Sequence, residues 1–189
     1  FVFGARSLMR TLLLKSLFLR PVTVAAPRPD RIEAAGEDPL LAELGRALEI
    51  RARRLFGRSI TIREVDAGSC NGCELEIHAL NNAVYDVERF GIKFAASPRH
   101  ADVLLVTGPV THNMRTALER TYAATPDPKW VVAVGDCGFD GGVFAGSYAC
   151  AGGVSAVIPV DLHVRGCPPT PEALLQGLIG LIEASATTR

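Results

Sequence analysis

Four of the five cysteines in this 189-residue chain follow apolar runs that read as strands: Cys70 and Cys73 in SCNGCELE, Cys137 in VVAVGDCG and Cys167 in VRGCPP. If those runs are parallel strands of one sheet, their carboxyl ends share an edge, and thiols far apart in sequence converge there. Four converging thiolates point to a metal centre. Iron–sulfur ligation suits the pattern, because Cys167 is followed by Pro168 and Cys-Pro is a frequent ending of such ligand sets. Zinc is the competing reading, but a zinc ribbon supplies two Cys-x-x-Cys pairs at short separation, whereas Cys137 and Cys167 are single and distant. A thioredoxin-type dithiol would use only Cys70 and Cys73 and leave the other two idle. Cys150, in SYACAGG, lies among small residues and reads as a packing cysteine.

The strands end in AGSCNGC, TGP, GDCGFDGG and RGCPP. Gly and Pro allow the backbone to approach a bulky inorganic group, and N–H groups freed in such turns can donate to sulfur. Cys73 opens a predicted helix, whose positive end favours an anionic ligand set. Glu74 and Glu76 on that helix read either as dipole partners or as proton carriers beside a redox site. The four histidines share no metal-ligand spacing, and His78, one turn past Cys73, is the least ordinary of them. GGVFAG follows no strand directly and carries no Lys-Ser/Thr, which argues against a nucleotide loop.

Twenty basic and twenty acidic residues leave no net charge, so nucleic acid is not indicated as a partner. An odd cysteine count in a chain of this length favours reduced thiols over a disulfide framework. No uninterrupted apolar run approaches the roughly 18 residues needed to span a bilayer. Residues 7–19 place Leu8, Leu12, Leu13, Leu17 and Phe18 at helical spacing, an amphipathic helix suited to a partner subunit or a membrane surface. A Pro-rich connector and a second helix over 39–56 follow, giving an N-terminal region of residues 1–58. Residues 59–189 alternate strand and helix: strands ITIREV, IKFAA, DVLLVTG, WVVAVG and AVIPV, with helices over 74–90, 113–124 and 171–184. That alternation predicts an α/β domain, a mostly parallel sheet covered on both faces.

The motifs GSCNGCELE, VTGPVT, GDC, GGVFAGSYA, GGV…IPVD and GCPPTP, in this order, resemble the B-type subunit of respiratory complex I and its relatives, the small subunits of membrane-bound [NiFe] hydrogenases and formate hydrogenlyase. The resemblance runs from about Ser59 to Ile182. It implies a three-layer flavodoxin-like fold and an oxidoreductase subunit holding one [4Fe-4S] cluster on Cys70, Cys73, Cys137 and Cys167. It also implies a large catalytic subunit, a ferredoxin-like iron–sulfur subunit and membrane-arm subunits as partners, on the cytoplasmic face of the inner membrane. Complex I subunits carry two adjacent cysteines at the first ligand position, whereas this chain has Cys70-Asn71-Gly72-Cys73, which favours the hydrogenase branch over the quinone-reducing one. Glu76 matches the family's acidic residue near the cluster and Cys150 matches no ligand position.

Overall fold

The computed structural model describes residues 39–187. The amphipathic segment expected over 7–19 and the Pro-rich connector lie outside them. Helix α1 (Pro39–Phe56) precedes β1 (Ile60–Asp66), α2 (Gly72–Ala79), β2 (Ile92–Phe94), β3 (Val103–Thr107), β4 (Val110–Thr111), α3 (His112–Ala124), β5 (Trp130–Val134), α4 (Gly135–Asp140), β6 (Cys150–Gly152), β7 (Leu162–Val164) and α5 (Pro171–Thr187). Five strands form one all-parallel sheet in the order β2-β1-β3-β5-β7. This is the 2-1-3-4-5 order of flavodoxin-like domains, whose ligands sit beyond the strands' carboxyl ends.

Both faces of the sheet are covered, which is why VLLVT and WVVAV are unbroken apolar runs rather than alternating ones. Val103, Leu105, Val132 and Val134 point to one face and pack with Ile77 of α2, Leu48 of α1 and Leu174, Leu178 and Leu181 of α5. Leu104, Val106, Val131 and Ala133 point to the other and pack with Leu118 of α3, Val154 and Ile158. Leu48 is fully buried in the first layer, so α1 packs into the same core as the sheet.

Two elements differ from expectation. The helix over 74–90 stops at Ala79, because the Asn82 side chain accepts the Val84 and Tyr85 N–H groups at 2.8 and 3.0 Å and turns the chain, leaving a short 3₁₀ turn at Val87–Phe90. AVIPV is not a strand: Val154–Ala156 forms a 3₁₀ turn, Ile158 is buried beneath it, and the ladder is made by Leu162–Val164. Pro159 has no N–H to give to a ladder, which moves the pairing past it. A small antiparallel pair of β4 with β6 sits beside the sheet and contains Cys150.

Candidate metal centre

Each of the four cysteines lies just beyond a strand of the parallel sheet. After β1, the Asp66 carboxylate accepts the Gly68 and Ser69 N–H groups at 2.7 and 2.8 Å, and the Ser69 hydroxyl accepts that of Asn71 at 3.0 Å. Asn71 is left-handed, with φ of 69°, a conformation Asn tolerates better than most side chains, and it turns the chain into α2 with Cys73 as its second residue. After β5, Gly135 begins α4 with φ of 82°, and Cys137 lies in its first turn. After β7, Gly166 and the Cys167-Pro168-Pro169 segment lead toward α5.

These loops touch. A Cβ on Gly135 would stand 2.7 Å from Cys73 Sγ and 3.4 Å from the Gly166 carbonyl oxygen. One on Gly72 would stand 3.5 Å from Cys70 Sγ and 3.9 Å from the Pro168 ring, and one on Gly142 would stand 2.9 Å from Cys137 Sγ. Glycine is required at 135 and 142, where the backbone passes this close to sulfur at a positive φ, whereas the approach at Gly72 is ordinary van der Waals contact.

The electrostatics report the same convergence. Burial first, then the charges of Glu74, Cys70, Cys137 and Cys167, push the Cys73 thiol up to about 12. Burial raises Cys137 too; the Val143 N–H donated to it pulls the other way, while Cys167, Cys70 and Asp136 push it further up. Cys150 is not among the groups acting on either. Cys73 and Cys137 are thus held toward the protonated form unless a positive group accepts them, and a metal deprotonates its thiol ligands outright. Among the described residues no group of three or more His, Cys, Asp or Glu side chains is arranged to hold a metal ion. Four thiols on touching loops at one sheet edge, one of them followed by Pro168, are nonetheless a donor set of the kind that holds an iron–sulfur cluster.

Of the two acids on α2, Glu74 is buried and neither carboxylate oxygen has a hydrogen-bond partner among the described residues, whereas Glu76 is half-buried. His78 faces Glu64, with Nε2 3.7 Å from Oε2. Burial raises the Glu64 pKa and His78 opposes the rise. Sequence reasoning misses Val143. Its segment, GGVFAG, reads there only against a nucleotide loop, yet Gly141 and Gly142, both with positive φ, fold it back onto Cys137. The glycine pair is the signal that could have found it.

Residues 70–181 match the family model of the NADH ubiquinone oxidoreductase, 20 Kd subunit. The chain belongs to that family. It is 47% identical to formate hydrogenlyase subunit 7 of Escherichia coli over 70% of this chain and 53% of the relative, so it spans about half that protein's length. It is 48% identical to the probable membrane-bound hydrogenase subunit mbhJ of Pyrococcus furiosus, over 70% of this chain and 80% of the relative. Identity to the B-type subunit of the NADH-quinone oxidoreductase of Phocaeicola vulgatus is 49%, over 67% and 64%. Among solved structures, a chain of the membrane-bound sulfane sulfur reductase, an archaeal respiratory membrane complex, superposes with a TM-score of 0.60 at 37% identity, covering 72% of this chain and 74% of that one. The family and these relatives are subunits of oxidoreductase complexes. No helix among the described residues is long and apolar enough to cross a membrane.

Proposed function

We propose that this chain is the electron-transfer subunit of a membrane-bound [NiFe] hydrogenase or formate hydrogenlyase-type complex, with Cys70, Cys73, Cys137 and Cys167 holding one [4Fe-4S] cluster beside the large catalytic subunit. The observation that supports it best is the set of four thiols on touching loops at one sheet edge, where Cys70, Cys137 and Cys167 all act on the half-buried Cys73 thiol. When bound, such a cluster supplies one-electron transfer, and the bond chemistry belongs to the large partner. The protein's own part is to keep the thiols together, to offer the Val143 N–H to the Cys137 sulfur, and to exclude water with the apolar strands beneath. Glu76, half-buried one turn from Cys73, is the group assigned to hold a proton at its carboxylate when negative charge arrives. A ferredoxin-like subunit on the donor side, membrane-arm subunits below and a position on the cytoplasmic face complete the proposal.

The Cys70-Asn71-Gly72-Cys73 spacing favours this branch. A quinone-reducing B-type subunit is the second reading, favoured by the 49% identity to the Phocaeicola vulgatus protein. Anaerobic purification of the full chain tests the cluster: absorption at about 400 nm and a one-electron paramagnetic signal on reduction are expected, and a colourless zinc protein would refute it.

A further inference from the structure

The ladder between β5 and β7 ends at Val134 opposite Val164, and the loops carrying Cys137 and Cys167 begin immediately beyond. The tie between them is continued by other means. Arg165 Nε lies 2.8 Å from Asp136 Oδ1. The Asp136 N–H donates to the Gly166 carbonyl at 2.9 Å, and the Gly166 N–H donates back to Asp136 Oδ1 at 3.3 Å. The Arg165 guanidinium also sits 4.1 Å from the centre of the Phe139 ring, which meets His163 edge-on at 4.9 Å. Asp136 and Phe139 flank Cys137, and His163, Arg165 and Gly166 precede Cys167, so every contact joins one ligand loop to the other.

We propose that Arg165 and Asp136 form a clasp, stacked on Phe139, that positions the Cys137 and Cys167 sulfurs relative to each other. Both are positioning residues, acting through the cysteines beside them, and the proposal rests on the four-cysteine reading above. The choice of arginine matters. Its planar fork can pair with a carboxylate and lie flat on a ring at once, which a lysine ammonium cannot do. With Arg165 half-exposed, its side chain 54% accessible, the pair adds little to global stability. Its effect therefore falls on loop geometry. Groups that orient metal ligands in this way typically change metal affinity by about 10–100-fold when removed.

The test compares the full wild-type chain with R165A, R165K and D136N. In the metal-free chains, amide exchange over residues 135–144 and 165–168 is expected to rise up to about fivefold in R165A, with the thermal midpoint near that of wild type. After reconstitution with iron and sulfide, loss of iron to a ferrous chelator is expected to be about 10–100-fold faster in R165A, with a changed paramagnetic line shape. R165K should resemble R165A. Wild-type exchange and wild-type iron loss in R165A would overturn the clasp, and so would full rescue by lysine, which would assign the effect to charge alone. D136N removes the same pair from the other side and decides the matter by the same readouts if R165A yields no folded chain. A wild-type chain that takes up no iron refutes the cluster reading, while the exchange difference still reports the clasp.

Discussion

The two edges of the parallel sheet are finished in opposite ways. At the amino edge, buried Asp102 accepts two bonds from Arg58, at 2.6 and 3.0 Å, and the Thr61 N–H at 2.9 Å, while its own N–H donates to the Thr61 carbonyl at 2.7 Å. Asp161 closes the start of β5 in the same fashion, its carboxylate accepting the Val131 N–H at 2.7 Å. Polar groups there are completed from within the chain. At the carboxyl edge, the Glu74 oxygens have no partner among the described residues, two thiols are pushed upward, and Gly68, Gly108, Gly135 and Gly166 all have positive φ. One edge stabilises the fold; the other gathers groups that become favourable only when a further component joins them. Buried polar groups without partners and perturbed thiols concentrated in this way are characteristic of functional sites.

The largest effect expected is that of Gly135→Ala, which sets a methyl 2.7 Å from Cys73 Sγ at a φ of 82°. We expect a cost of about 2–5 kcal/mol together with loss of most bound iron, read by denaturant unfolding and iron analysis. Full iron content would break the contrast, because the carboxyl edge would then not depend on close approach. Asp102→Ala should cost about 1–3 kcal/mol by leaving the Thr61 N–H and the Arg58 guanidinium without their acceptor, and the folded fraction should load iron as wild type does. A loading defect in that variant would mean that the two edges are not separate in role.

A smaller effect concerns pH. The Cys73 pKa in the folded metal-free chain lies above its ordinary value of 9.0, at about 12, so folding favours the protonated thiol. That contribution is fully present below about pH 9 and is lost as pH rises toward 12. Chemical denaturation of the metal-free chain should show stability falling across this window, with a shallower fall in Cys73→Ser; identical slopes would remove the burial argument for this thiol. Smallest is Glu76→Gln, expected to cost no more than about 1 kcal/mol and to retain the cluster. It should flatten the pH dependence of the cluster's potential, and equal slopes in a redox titration followed by paramagnetic resonance would end the proton-carrier role.

Much of this contrast is legible in the residues. Unbroken apolar runs such as VLLVT and WVVAV mark strands buried on both faces, and Cys70, Cys73, Cys137 and Cys167 each lie just past one of the sheet's strands. What is not legible depends on distant contacts. The six-residue helix Gly135–Asp140 has no periodicity to read, and although the Gly141-Gly142 pair marks a turn, that the turn returns Val143 to Cys137 depends on tertiary structure. AVIPV has strand composition, but Pro159 and the buried Ile158 convert it to a loop, and the ladder shifts to LHV. Likewise, sequence spacing cannot separate Glu74 from Glu76; only the packing of α2 on the sheet shows which one is buried.

The central claim is most directly tested by counting iron and sulfide in anaerobically reconstituted full-length chains in which each cysteine is replaced by alanine in turn. The account predicts one [4Fe-4S] cluster per chain in wild type and in Cys150→Ala, and loss of the intact cluster in Cys70→Ala, Cys73→Ala, Cys137→Ala and Cys167→Ala. Full iron content in Cys137→Ala, or its loss in Cys150→Ala, would contradict it.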